Sequence, residues 1–473
     1  MKKIVLSLLL VVAMLTGMYA LTGCGAGPMP TFSMPEGGFN PNEQITITFY
    51  HTMGANLREV LDLYIPEFEA LYPNIKVEHQ QVGGYDDVRK KISTQIHVHE
   101  HPNVAYCYPD HVALYNISGA VVTLDQLIES QLEVTRADGT TEILGLTAEQ
   151  IDAFIDGYYD EGKQFGDGLM YTLPFSKSTE VLYYNKTFFD ANGLTPPTTW
   201  DELEKLCEDI KKIDPTCIPL GYDSEANWFI TMCEQLKSGY TSEDPNNRFI
   251  FDNEENREFV TRFREWYQKG YVTTQEIYGT YTSSLFTATG EKDIKSYISI
   301  GSSAGATHQR PAANPDGSYP FEVGIVPIPQ ENPDDPKVIS QGPSLCILQK
   351  ENPQEVLASW LFVKFLTTNM EFQAEFSMAS GYVPVLETVV EDTVYAKFLN
   401  KANGTTQIAA LSASVCMDQV DAYYTSPAFN GSSEARDQVG LLMQKALATP
   451  TTDLKSLLDQ LFREALEKCK YNS

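Results

Sequence analysis

From Ile45 onward, strand-like and helix-like patterns alternate, and this alternation restricts the chain to a layered α/β architecture. Ile45, Ile47 and Phe49 alternate with Thr46, Thr48 and Tyr50, the period of a half-buried strand. Leu57, Leu61, Tyr64, Phe68 and Leu71 recur at helical spacing, and Pro66 inside that pattern predicts a kink or a late helix start. Ile75 and Val77 continue as a strand, Val88–Ile96 as a short helix, and Val104–Tyr108 and Val121–Leu124 as two further strands. Thr147 and Thr199 each precede Gln150 or Glu202 by three residues, the pattern of a capping box at a helix start. Later strands are expected at Val181–Tyr184, Tyr297–Ile300, Glu322–Ile325 and Leu345–Leu348, and helices at Gln354–Leu366 and Leu454–Lys468. From Gln44 the chain runs a further 430 residues, more than one core usually supports, so two lobes are expected.

The N-terminus has a different character. Lys2 and Lys3 precede an uncharged, mostly apolar run from Ile4 to Ala20, the layout of a secretion signal. The run ends in Leu21-Thr22-Gly23-Cys24, which resembles a bacterial lipobox. That resemblance implies a lipoprotein signal peptide over residues 1–23 and lipid on the Cys24 sulfur. A spanning anchor is the alternative, though the run sits near the lower length limit for one. Residues 24–43 are rich in glycine and proline and lack apolar periodicity, so they are expected to form a lipid-anchored flexible tether of about 20–25 Å.

The formal net charge is −29, and removal of Lys2 and Lys3 would make it −31. A surface this acidic repels nucleic acid, which excludes it as a partner. No run after Ala20 is long and apolar enough to span a bilayer, so a permease or channel is excluded. The eight cysteines show no CxxC spacing, and Cys107 and Cys346 lie in apolar strand-like runs, as small core residues do.

The order of motifs resembles a family. ITITFYHTMG, FEALYPNIKVE, GYDDVRKKI, PNVAYCYPD and GAVVTLDQL are similar to the opening of the carbohydrate-type solute-binding proteins of ABC importers, the maltose-binding-protein-like group. The most specific stretch runs from Leu173 to Lys212, with its YYN and PPTTWDEL pattern. FEVGIVPIPQ, ISQGPSLCIL, LFVKFLTTNMEFQAEF and SGYVPV follow in family order. Within the group, PFSKSTEVLYYNK, IGSSAGA and GYVPV look most like glycerol-3-phosphate-binding proteins. The resemblance implies a two-lobed, type II periplasmic-binding-protein-like α/β fold with three hinge crossings and a ligand cleft between the lobes. It places residues 44–178 plus 345–400 in lobe 1 and residues 179–344 plus 401–473 in lobe 2. The crossings would fall near Ser178-Thr179, Gln341–Leu345 and Phe398–Gln407. It further implies a monomer, exported to the outer face of the cell membrane, that delivers a carbohydrate or glycerol-phosphate compound to a permease. No enzyme activity and no cofactor are expected.

Sugars and glycerol phosphates present hydroxyls and C–H faces, so a cleft for them needs directional hydrogen-bond partners and flat aromatic surfaces. Phosphate adds a demand for arginine or clustered backbone N–H groups. By family position, Tyr85 and Asp110 face the cleft from the first lobe, and Ser178 stands at the first crossing. Trp228 resembles the family's stacking tryptophan, with a core role as its alternative. Ser302 and Ser303 end a strand in the run GSSAGA, where glycine and hydroxyls can make a polar nest. Gly342 lies at the second crossing, Tyr382 matches a cleft-facing position, and Arg436 matches the arginine that grips phosphate.

His97, His99 and His101 alternate in a way that can ligate zinc, but they fall where the family has a variable surface loop, and no metal site is expected. No HExxH or GxxxxGK[ST] motif occurs. A glycosidase carboxylate pair is compatible with the composition, so a secreted, lipid-anchored glycosidase is the alternative function.

Overall fold

Three passes of the chain tie two α/β halves together in the computed structural model, which describes residues 29–242, 244 and 246–472. The expected signal peptide and Cys24 lie outside the described residues. In chain order the strands are β1 Ile45–His51, β2 Ile75–Gln81, β3 Val104–Cys107, β4 Glu133–Thr135, β5 Thr141–Ile143, β6 Leu173–Pro174 and β7 Ser178–Asn185. They continue as β8 Leu220–Tyr222, β9 Val272–Thr274, β10 Ile298–Ser302, β11 Val323–Pro327, β12 Val338–Gln341, β13 Ser344–Ile347 and β14 Tyr423–Tyr424. The principal helices are α1 Ala55–Leu71, α2 Tyr85–Ile96, α3 Pro109–Asn116, α4 Trp200–Ile213, α5 Glu225–Leu236 and α6 Glu254–Gln268. After them come α7 Pro353–Thr368, α8 Met370–Met378, α9 Ile408–Asp418, α10 Ser432–Ala448 and α11 Leu454–Asn472.

The first sheet has the order β2-β1-β3-β13-β6, and the second the order β14-β12-β7-β10-β8-β9 with β11 also paired to β7. β1 pairs in parallel with β2 and β3, while β13 runs antiparallel to β3 and β6. The chain leaves the first sheet after Pro174 and enters the second at Ser178. It returns between Gln341 and Ser344, and crosses once more between a helix ending at Leu399 and α9, which packs on β7 and β11.

Local sequence explains the elements. Ile45, Ile47 and Phe49 of β1 are buried while Thr46 is exposed, as alternation requires. Thr199 caps α4, its Oγ accepting from the Glu202 amide at 3.2 Å while Glu202 accepts from the Thr198 and Thr199 amides. Thr147 and Gln150 form the other capping box. α1 runs unbroken from Ala55 through Pro66 rather than starting late. The carbonyl of Asp62, which Pro66 cannot serve, lies on the exposed face and can be hydrated. Val121–Leu124 forms only a single bridge, Val121 to Leu348, before a short helix at Asp125–Ile128.

Two large apolar clusters make the core. β7 divides them by its pleat: Val181 and Tyr183 belong to the first, with Phe49, Phe68 and Trp360, and Leu182 to the second. The second cluster contains Trp228, which corrects the expectation that this residue faces a ligand. Trp228 is completely buried on α5, its ring stacked on Tyr222 at 4.7 Å and packed on Phe263 at 4.1 Å. The residue before it, Asn227, takes the polar side of the helix instead.

The tether expectation also needs correction over its described part. Phe32 and Phe39 are buried in the first cluster, and Met34 packs against it. The Phe32 amide donates to Gln349 Oε1 at 2.8 Å and the Asn40 amide to Gln354 Oε1 at 2.8 Å. Glycine and proline dominate the composition of this stretch, but two phenylalanines suffice to dock it. Each contributes roughly 1.5–3 kcal/mol on burial.

Two outcomes follow from this packing. Trp228→Ala should lower unfolding free energy by about 3–5 kcal/mol in urea titration; a loss below about 1 kcal/mol would return Trp228 to the list of surface residues. A Phe32→Ala, Phe39→Ala double variant should become sensitive to limited proteolysis within residues 29–43, where the parent chain resists; equal cleavage of both would show that the segment is undocked.

Candidate ligand-binding cleft

Where β6 and β13 of the first sheet pass into β7 and β12 of the second, the two halves face each other. Tyr108, Pro109 and Asp110 come from the first half, Gln341 and Gly342 from the crossing, and Ser432 and Arg436 from α10 of the second. They surround a space of about 40 Å³, room for a few waters but not for a sugar ring. A wider groove of about 330 Å³ adjoins it on the other side of Arg436, lined by Asp223, Glu225, Glu276 and Asp437 among others.

Tyr85 opens α2, and its ring stacks on Tyr108 at 4.0 Å and lies parallel to Tyr106 at 5.7 Å. Its hydroxyl is 3.5 Å from that of Tyr382. Burial pushes the Tyr85 and Tyr106 phenols well above their usual range, so both remain neutral donors. Asp110 sits in the first turn of α3 behind Pro109, which supplies the fixed φ of a helix start. Its Oδ2 is buried with no hydrogen-bond partner. A buried carboxylate oxygen without a donor is costly, and a ligand hydroxyl would satisfy it.

Gly342 holds φ at +101°, and a Cβ there would collide with the Ser176 carbonyl oxygen; only glycine lets the two crossing strands lie this close. Ser178 opposes Gln341 in the strand register, and Ser302 Oγ donates to Ser178 Oγ at 3.4 Å. Ser303 is corrected from ligand contact to internal staple. It is fully buried, its Oγ accepts from the Thr179 amide at 3.2 Å, and its carbonyl accepts from Ser412 at 3.3 Å. Asp110, Gly342 and Arg436 thus share one space, and Tyr85 and Tyr382 join it through Tyr108. Ser178 and Ser302 stand one strand position away beside Gln341. Trp228 and Ser303 lie behind the wall.

Arg436 projects from α10, and its Nη2 donates to Asn227 Oδ1. Asn227 Oδ1 also accepts from Gln341 Nε2 at 3.1 Å, and Asn227 Nδ2 donates to Glu180 Oε1 at 3.0 Å. At the rim, Arg89 of α2 donates to Ser433 Oγ and to Asp437 Oδ2 at 2.9 Å, both on α10, so the halves are bonded across the cleft. His111 lies in the same contact, 4% exposed, with burial holding its imidazole below the usual range.

Several of these groups were not singled out from the sequence. Tyr108 stands two residues before Asp110 in the quoted PNVAYCYPD run, and Glu180 is a lone charge inside the apolar run Val181–Tyr184 and its flank. A charge in a strand that otherwise reads as buried is a signal of a polar site. Arg89 and Asp437 carry no local signal, because their pairing joins residues 348 positions apart. Within the loop expected to hold no metal, His101 is buried and bonds the Gln349 carbonyl at 2.8 Å.

The model for bacterial extracellular solute-binding proteins matches residues 64–402, well over half of the chain. The sn-glycerol-3-phosphate-binding periplasmic protein UgpB of Shigella flexneri is 25% identical over 386 residues, covering 77% of this chain and 80% of that protein. UgpB from Mycobacterium tuberculosis, solved in complex with glycerophosphocholine, superposes with a TM-score of 0.72 at 17% identity, over 90% of this chain and 99% of that one. Maltose-bound MalE3 of T. maritima gives 0.69 at 16% identity, over 89% and 99%. The fold is the two-lobed type II arrangement of periplasmic binding proteins. The chain belongs to the family of bacterial extracellular solute-binding proteins.

Proposed function

We propose that this protein is the lipid-anchored substrate-binding component of an ABC importer, which captures a carbohydrate or glycerol-phosphate compound and hands it to a membrane permease without altering it. The observation that carries this reading is the cleft itself. A polar space with an unpartnered carboxylate oxygen of Asp110, an aromatic wall of Tyr85 and Tyr108, and the guanidinium of Arg436 lies where two halves meet. Hydroxyl-rich ligands need these partners, and domain interfaces are where such sites form. The names of UgpB and MalE3 relatives support the same ligand classes.

In this reading residues 44–178 plus 345–400 and residues 179–344 plus 401–473 move as two lobes. The narrow space must widen to admit a ligand, and Arg89 parts from Ser433 and Asp437 when it does. Closure then exposes a composite surface to the permease. Export and anchoring rest on the signal-like N-terminus and Cys24. The protein acts as a monomer and needs no cofactor.

Thermal-shift screening against glycerol-3-phosphate, glycerophosphocholine, maltose and longer oligosaccharides should find stabilisation that grows with concentration over Kd. Stabilisation by none of them, or product release from a glycan at catalytic rates, would contradict the reading. Arg436→Ala, followed by calorimetry, should weaken a phosphate-bearing ligand by about 2–5 kcal/mol, but a neutral sugar by under about 1 kcal/mol. An unchanged affinity for a phosphate ligand would remove Arg436 from the site. Metabolic lipid labelling should fail in Cys24→Ala; label in that variant would exclude Cys24 as the acceptor.

A further inference from the structure

Glu180 is a carboxylate placed where a charge is expensive. It lies on β7, 1% exposed, opposite Ser302 in the register. Among the described residues no cation forms an ion pair with it. Two neutral donors hold it instead: Tyr222 Oη gives a hydrogen bond to Oε2 at 2.7 Å, and Asn227 Nδ2 one to Oε1 at 3.0 Å. Burial without a salt bridge needs a compensating role.

The role is visible in the next bonds. An amide side chain has one donor end and one acceptor end. Because Glu180 takes the donor end of Asn227, the acceptor end must face the cleft. There it receives Gln341 Nε2 at 3.1 Å and Arg436 Nη2. Asn227 is itself 3% exposed and fixed at the start of α5, where its amide donates to Ser224 Oγ at 3.1 Å. Arg436 therefore does not choose its own direction. We infer that Glu180 is a positioning residue for ligand binding: through Asn227 it aims the Arg436 guanidinium and the Gln341 amide into the space between the lobes.

This inference rests on the proposed ligand-binding function, but its structural half does not. The groups that face Glu180 are Tyr222 and Tyr424 from the sheet, Asp223 after β8, Asn227 on α5 and Arg436 on α10. Burial pushes the Glu180 carboxyl up to about 7. Its protonated form still accepts from Asn227 through Oε1 while its proton turns to Tyr222 Oη, so the aim of Arg436 survives protonation. What changes is the charge beside Arg436. As pH falls through about 7 a competing anion is lost, and an anionic ligand at Arg436 binds more tightly.

The test compares the parent chain, Glu180→Leu and Glu180→Gln. Leucine removes the acceptor and frees Asn227; glutamine keeps an acceptor for Asn227 and a donor for Tyr222. The probe is glycerophosphocholine, whose phosphodiester does not titrate near neutrality. Calorimetry at pH 6 should show affinity lowered at least tenfold in Glu180→Leu and within threefold of the parent in Glu180→Gln. Parent affinity should rise severalfold from pH 8 to pH 6, and Glu180→Gln should be flat over that range. Ligand-free crystal structures supply the second readout: Arg436 and the Asn227 amide should move in Glu180→Leu and stay in Glu180→Gln. Arg436 unmoved in Glu180→Leu overturns the proposal, whatever the probe does. If Glu180→Leu does not fold, Asn227→Ala takes its place, with the same displacement of Arg436 expected. A parent chain that binds no probe, together with a displaced Arg436, would sink the phosphate-ligand reading and uphold the positioning role.

Discussion

The buried ion pair of Lys177 and Glu161 is the point on which the two halves depend. Lys177 stands between β6 and β7, in the first crossing, and is completely buried. Its Nζ donates to Glu161 and, at 3.2 Å, to Ser344 Oγ, at the start of the strand that begins after the second crossing. Its backbone exchanges two hydrogen bonds with Val383, at 3.2 and 2.7 Å, which brings in the segment leading to the third. One residue thus joins the first two crossings to the strand-like segment around Val383. Loss of either ionic partner would strand a charge in the interior, which typically costs several kcal/mol, so the pair fixes where the crossings meet.

Under the proposed function, movement is confined to the short segments around this junction. β6 and β13 pair on one side, and β7 and β12 on the other, with Gly342 packed against the backbone of Ser176 and Lys177. Gly381 makes a comparable contact, since a Cβ there would meet the Ser303 carbonyl oxygen. The cleft lies directly beside this junction: Glu161, Gln341 and Gly342 line it. Under the proposed function, lobe rotation and ligand contact are therefore coupled through shared residues, and the Arg89 bonds to α10 at the rim form only in the closed arrangement.

Much of the fold was legible because local chemistry agreed with it. The β1 alternation, the capping boxes at Thr147 and Thr199 and the apolar stripe of α4 all act within a few residues. Failures occurred where composition misled or where distant parts of the chain decide. Residues 29–43 read as a tether from glycine and proline, but Phe32 and Phe39 find a surface built by Gln349 and α7, over three hundred positions away. Trp228 had the right neighbourhood and the wrong face: on α5 it turns inward to Tyr222 and Phe263, while Asn227 turns to the cleft. A shift of one residue on a helix is about 100°, enough to exchange a site residue for a core one. Ser303 failed for a related reason, since adjacent Ser302 and Ser303 point to different partners at the end of a strand.

Under the proposed function, two lobes turn about the pinned crossings and enclose a ligand between them. Small-angle X-ray scattering of the chain without its signal-like N-terminus measures this directly, with and without a saturating amount of the compound that most raises its melting temperature. The free protein should have the larger radius of gyration, and once ligand is bound the curve should match the closed arrangement in which Arg89 meets Asp437. Superimposable curves at saturation would contradict it.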